Sequence, residues 1–220
     1  MDKACPGFLT GLTGVRNFRS RLKTQNMRIG ITLTSSIDID KKYIDLTEQV
    51  ALTIASKGYG IVYGGTAYGM MNTLAESYKK GGGQELCGVI AQDLILATKN
   101  YKKYSGLDKE FTVNTIAERK DKIISLSDAY LILPGGYGTF EEIGSIVGGQ
   151  VNKLYSKPIA FYNFEGYFDT LFKFLTEVYE HKFSRVKPEE IFFNSNNLED
   201  IFKFFENYVG HELTDKFVNK

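Results

Sequence analysis

Short apolar runs alternate with amphipathic stretches along most of this chain. Met27 to Leu33 (MRIGITL) is apolar and ends in the polar turn TSSID. Residues 40–57 then place Ile44, Thr47, Val50, Ala51, Ile54 and Ala55 at helical spacing, with Gly58 as a stop. Gly60 to Tyr63 (GIVY) reads as a buried strand that opens into GGTAYGMM, and a helix follows to about Lys80. Leu86 to Ala91 is the third strand. Residues 92–109 show no clean period and read as a loop or lid. Glu110 to Asn114 reads as a short strand, and the Thr115/Glu118 capping box predicts a helix over 116–127. Ala129 to Leu133, Pro158 to Tyr162 and Ile191 to Phe193 complete the strands. Helices are expected from Phe140 to about Gly148, around 166–181, and from Leu198 to Tyr208.

Strands alternating with helices predict an α/β fold: a Rossmann-like, doubly wound parallel sheet in a single domain over 28–210. Residues 1–27 are expected to be a loosely ordered extension, with a transit-like or oligomer-clasping arm as the alternative. Residues 211–220 are expected to be a tail. In such sheets ligands sit at the carboxyl ends of the strands. TSSID, GGTAYGMM and PGGYGT all follow strands, so they are expected to gather on one sheet edge.

Composition narrows the function. With 27 Lys and Arg against 26 Asp and Glu the chain is almost neutral, which weighs against nucleic acid as a partner. Two cysteines, Cys5 and Cys87, stand far apart and suggest a reducing compartment, the cytoplasm, with no disulfide framework. No metal is expected from two cysteines and two histidines, and no apolar run is long enough to span a membrane.

The candidate chemistry lies in LPGGYGTFEE at 133–142. A glycine-rich turn before a helix offers backbone N–H groups at the positive end of a helix dipole, which is an anion site. Gly135, Gly136 and Gly138 let a phosphate approach the backbone, and the Thr139 hydroxyl adds a donor. The same residues also fit a plain turn, because Thr139-x-x-Glu142 is itself a capping-box pattern. Arg119 and Lys120 would by default form a solvated helix face. GGTAYG at 64–69 is a second glycine-rich turn; neither turn has the P-loop lysine, so a mononucleotide or sugar phosphate is favoured.

The stretch AERKDKIISLSDAYLILPGGYGTFEEI at 117–143 resembles the signature of the LONELY GUY family, many members of which are described as possible lysine decarboxylases. The matching residues are Arg119-Lys120, Ser127-Asp128-Ala129, Pro134 to Thr139 and Glu142; GGTAYGMM and TSSID match less closely. The resemblance implies a cytokinin-activating phosphoribohydrolase. Such an enzyme cleaves a nucleoside 5′-monophosphate to the free base and ribose 5-phosphate, without a metal or organic cofactor. It implies Arg119 and Glu142 as catalytic residues. Substrate and phosphate would be held by Lys120, Gly135, Gly136, Tyr137, Gly138, Thr139, Glu141, Gly65, Thr66, Gly69, Ser35 and Ser36. It also implies a homodimer or higher oligomer, for which Gly148 and Gly149 would permit close helix packing.

The sequence departs from the family pattern at Ile116-Ala117, at Thr66, and at Ser145, Gly148 and Gly149, and it has no clear counterpart of a pocket acid in DLILATKNYKKYSG. The phosphate and ribose side is intact while the base side is altered. The expected substrate is therefore a purine nucleoside 5′-monophosphate, with AMP favoured over a cytokinin riboside monophosphate. The alternative is a non-catalytic nucleotide-binding or sensor protein of the same fold. A single-stranded DNA-handling relative is disfavoured by the neutral charge.

Overall fold

The computed structural model describes residues 27–213. Of the extension expected over 1–27, residues 1–26, with Cys5, lie outside the described residues, and Met27 is buried; of the tail expected over 211–220, residues 214–220 lie outside them, and Leu213 is buried.

Seven parallel strands form one sheet: β1 (Arg28–Thr32), β2 (Gly60–Tyr63), β3 (Leu86–Ala91), β4 (Lys109–Val113), β5 (Ala129–Ile132), β6 (Ile159–Tyr162) and β7 (Phe193–Ser195). Their spatial order is β4-β3-β2-β1-β5-β6-β7. The helices are α1 (Lys41–Ser56), α2 (Gly69–Lys80), α3 (Gln92–Ala97), α4 (Ile116–Leu126), α5 (Tyr137–Val151), α6 (Asp169–Glu180), α7 (Pro188–Ile191) and α8 (Leu198–Asn207).

The apolar runs are strands because they are buried on both sides. Every residue of β2, β3, β5 and β6 is buried. Alternation assigns the faces. Ile29, Ile31, Ile61, Tyr63, Ala129 and Leu131 pack against the apolar stripes of α1, α2 and α8. Tyr130, Ile132, Ile159 and Phe161 face α5 and α6, and Val62, Cys87 and Val89 face Ile123 of α4. Successive strands walk outward from β1 to β4, and the chain then returns to place β5 on the other side of β1. Right-handed crossovers put the helices of the two walks on opposite faces. The carboxyl ends of β1 and β5 are thus the switch point of the sheet, where a crevice is expected.

Four elements differ from the sequence expectation. Residues 92–97 are a short helix, α3, with no buried residue and hence no readable period. Helix α5 begins at Tyr137, not Phe140, and runs to Val151. Strand β7 begins at Phe193, because Pro188 opens the turn α7 and Ile191 and Phe192 pack against the α5–α6 side. A 3-10 turn, Phe164–Gly166, precedes α6, which therefore starts at Asp169.

The loops after β1 and β2 interlock through one glycine. Gly69 has φ +52°, and a β-carbon there would collide with the Ser36 carbonyl oxygen. The close approach of TSSID to the start of α2 therefore requires Gly69. Gly69→Ala should lower stability by about 1–3 kcal/mol, read from the urea midpoint. An unchanged midpoint would contradict the interlock.

Candidate active site

Two helix starts meet at the switch point. Helix α4 begins where the edge strand β4 ends, with Thr115 Oγ1 accepting the Glu118 N–H at 3.1 Å. The Glu118 carboxylate accepts the N–H of Asn114, one residue earlier than a capping box would place it. This start points Arg119 and Lys120 of the first turns toward α5. Arg119 is not a solvated residue: it is 9% exposed, and its Nη2 donates to Glu142 Oε1 at 3.3 Å. Glu142 is 8% exposed. Beside this pair, nearer solvent, Lys120 Nζ binds Glu141 Oε1 at 2.6 Å. Two acids on consecutive residues of α5 thus take two cations on consecutive residues of α4.

The turn before α5 is a cap without a capping side chain. Gly136 is the N-cap, and its carbonyl takes the first helical bond from the Phe140 N–H. The capping-box reading of Thr139 and Glu142 therefore fails: Thr139 lies inside the helix, three residues after the N-cap. No side chain caps the helix start. The N–H groups of Tyr137, Gly138 and Thr139 precede the first helical donor and are open to an anion. Thr139 is buried, yet its Oγ1 has no hydrogen-bond partner. A β-carbon on Gly135 would collide with that hydroxyl, so Gly135 makes its place. Gly136 and Gly138 face open space, and Tyr137 is 96% exposed.

The β2 loop supplies the opposite wall. A β-carbon on Gly64 would stand 3.1 Å from Arg119 Nη1, so the guanidinium lies against this backbone. Gly69 abuts Ser35 and Ser36. Gly65, with φ +72°, turns its α-carbon toward Ile90 and Gly88. Thr66 is engaged by the segment after α3: it bridges to Lys103, and its hydroxyl lies 3.5 Å from Tyr101 Oη. The Ala67 N–H donates to the Lys102 carbonyl, and the Tyr104 N–H to that of Gly65. The expected lid is thus strapped to the β2 loop as an antiparallel segment.

Among the described residues, the buried side-chain atoms without partners are Thr32 Oγ1, Tyr63 Oη, Arg119 Nε and Thr139 Oγ1. All belong to strand ends or helix starts at the carboxyl edge of the sheet. Unpaired polar atoms are rare in native interiors. Those of Thr32, Arg119 and Thr139 belong to the α4–α5 side and mark a place suited to a polar ligand, while Tyr63 packs on the opposite face of the sheet. Thr32 lines a small cleft with Lys120, Glu142 and Ser145. Thr32 and Gly64 were not singled out in the sequence. Thr32 is the only hydroxyl in β1, whose other polar side chain is Arg28 at its start, and Gly64 opens the GGTAYG turn directly before Gly65.

Burial raises the Glu142 carboxyl to about 7, with the Arg119 charge opposing and Glu141 adding a smaller push. Between the ordinary carboxylate value of 4.5 and about 7, the folded protein holds a proton that the unfolded chain has released. The contribution of this group to stability therefore falls as pH rises through that window. Among the described residues no cluster of three metal-ligand side chains gathers, and no helix is long and apolar enough to cross a membrane.

Comparisons with known proteins show the family and the fold. The family model "Possible lysine decarboxylase" matches residues 71–205, from α2 to α8. The chain is 28% identical over 198 residues to cytokinin riboside 5′-monophosphate phosphoribohydrolase LOG2 of Arabidopsis thaliana, covering 90% of each. It is also 28% identical to the probable enzyme LOGL9 of Oryza sativa subsp. japonica, over 83% of this chain and 78% of that one. Among solved structures, the molybdenum cofactor carrier protein of Chlamydomonas reinhardtii superposes with a TM-score of 0.61 at 16% identity, covering 81% of this chain and 96% of that one. That likeness shows the fold alone.

If Arg119 is the charge that opposes burial of Glu142, Arg119→Met should raise the titration point of Glu142 above about 7. Carboxyl ¹³C NMR of the labelled variant would read it; an unchanged or lower value would assign the opposing charge elsewhere.

Proposed function

We propose that this chain, which belongs to the LONELY GUY family described as possible lysine decarboxylase, hydrolyses the N-glycosidic bond of a purine nucleoside 5′-monophosphate to free base and ribose 5-phosphate. One observation carries the reading: a buried Arg119–Glu142 pair stands beside the uncapped start of α5, at the switch point of a parallel sheet. A 5′-phosphate on the N–H groups of 136–139 and on Thr139 would bring the ribose alongside Glu142. Gly135, Gly136 and Gly138 would keep that approach open.

Cleavage of a ribosyl bond passes through an oxocarbenium-like state with positive charge at the anomeric carbon. The Glu142 carboxylate would stabilise that charge and accept a proton from the attacking water. The water oxygen bonds to the anomeric carbon as the carbon–nitrogen bond breaks; the base leaves with the bonding pair and takes a proton from solvent, and Glu142 returns to solvent the proton it took from the water. Arg119 would hold Glu142 in place and bring its remaining N–H donors to the phosphate or the departing base. Lys120 and Glu141 would fix the spacing of the two helices near the mouth. The naming of two plant relatives as phosphoribohydrolases supports the same reaction. Decarboxylation would draw on pyridoxal phosphate held by a lysine Schiff base. Lys120, the lysine of the site, is engaged as a cation by Glu141 and is not presented as a nucleophile.

AMP is the favoured substrate over a prenylated adenine nucleotide, because the sequence departs from the family on the base side. There Thr66 stands at the third place of the glycine turn, and its hydroxyl lies 3.5 Å from Tyr101 Oη. A homodimer is also proposed. On α5, Gly144 and Gly148 lie one turn apart, and a β-carbon at either would meet nothing. Gly149 does not serve this purpose, since its face is filled by Tyr155.

In a panel of nucleoside monophosphates, ribose 5-phosphate release should be fastest with AMP. Glu142→Gln should lower the rate by about two orders of magnitude or more while the thermal midpoint stays near wild type. Tight nucleotide binding without base release by the wild type would favour a non-catalytic binder. Normal turnover by Glu142→Gln would remove Glu142 from the chemistry. Sedimentation at micromolar concentration should show a dimer, and Gly148→Leu should shift it to monomer; a monomeric wild type would contradict that assembly.

A further inference from the structure

A tyrosine outside the motif touches the candidate phosphate turn. Tyr167 Oη donates to the Gly135 carbonyl oxygen at 2.7 Å. A trans peptide is planar, with its C=O and N–H pointing in opposite directions. Fixing the Gly135 oxygen on one side therefore aims the Gly136 N–H to the other. Gly136 is the N-cap of α5, and no side chain caps that helix. Without a constraint, a peptide between two glycines could rotate and turn its carbonyl oxygen toward the anion.

The segment that carries Tyr167 is fastened as though its position mattered. Glu165 is one of three non-glycine residues with positive φ among the described residues, at +50°, and Gly166 follows at +74°. Two consecutive left-handed residues need outside support. Lys42 of α1 forms an ion pair with Glu165. Asn163 Oδ1 accepts the Phe168 N–H at 2.8 Å, and its amide donates to Asp169 at 2.7 Å. The Tyr43 ring meets Tyr167 edge-on, 5.8 Å between centroids. The turn after β6 is thus tied to α1 and touches the turn after the neighbouring strand β5.

We propose that Tyr167 is a positioning residue: its hydroxyl pins the Gly135–Gly136 peptide so that the Gly136 N–H faces a bound phosphate. This rests on the phosphate-binding reading of the turn and adds to it a residue from a different loop. Tyr167 touches the backbone, not the substrate, so its removal should act on phosphate affinity more than on the chemical step.

The test uses the full chain and inorganic phosphate as the probe, followed by amide NMR. Wild type should bind phosphate with a shift of the Gly136 amide signal. Tyr167→Phe keeps the ring against Tyr43 and should weaken phosphate about fivefold, the size of one lost hydrogen bond. KM for a nucleoside monophosphate should rise by a similar factor with kcat changed less. Inhibition by the nucleoside that lacks the phosphate, and the thermal midpoint, should stay put. Lys42→Ala, which loosens the same turn from α1, should weaken phosphate in the same direction. Equal phosphate affinity in wild type and Tyr167→Phe, or equal loss of nucleoside and phosphate binding, would overturn the positioning role. Phosphate binding without nucleotide hydrolysis would sink the enzymatic reading and leave this inference standing. A wild type that binds no phosphate would end both.

Discussion

The Arg119–Glu142 ion pair is the constraint on which the arrangement depends. Both side chains are about nine-tenths buried, and their closest atoms are 3.3 Å apart. Removing two charges from water costs several kcal/mol per ion, and mutual attraction offsets this only with good geometry. Geometry here leaves part of the cost uncovered: the bond is long, Arg119 Nε is without a partner, and the Glu142 carboxyl is held up near neutrality. A purely structural pair of this kind would be better replaced by apolar residues. A pair that receives a ligand has reason to be left incomplete.

The rest of the fold can be understood as holding that pair in place. The return of the chain from β4 to β5 sets α4 and α5 side by side on one face, with both helix starts at the carboxyl edge. Lys120 and Glu141 tie the two helices a second time nearer solvent. Glycines are placed where a side chain would push the site apart: Gly64 against the Arg119 guanidinium, Gly135 against the Thr139 hydroxyl, and Gly69 against the Ser36 carbonyl. The far end of α4 is fixed as well. Lys157 donates to the Ile124 and Ser127 carbonyls at 2.7 Å each, closing the helix that carries Arg119.

Much of the fold was legible because the strands are buried on both faces. LCGVIA and GIVY are continuous apolar runs, and their bounds match β3 and β2. The α1 stripe was readable because the helix is half-buried: Val50, Ala51 and Ile54 face the core while its other side is wet. Helix α5 extends beyond the sequence expectation at both ends. Its first turn is YGT, which reads as part of a turn, and Gly144, Gly148 and Gly149 argue against a long helix by propensity alone. Tertiary packing overrides that: Ile143, Ile146 and Gln150 are buried against the sheet side, and Tyr155 fills the space beside Gly149. The Arg119–Glu142 contact joins two helices across a strand and is invisible to spacing; the family resemblance alone singles out both residues. Tyr167 lies some thirty residues from the turn it touches, and nothing local to YFD marks it.

The most direct test of the account is the pH dependence of kcat/KM for base release from a nucleoside monophosphate. If the ionised Glu142 carboxylate stabilises the ribosyl cation, the rate should climb with pH up to about 7 and level off above it, following the carboxyl that burial has raised. A rate that is flat across that range, or that falls as pH rises through it, would contradict a catalytic role for the carboxylate.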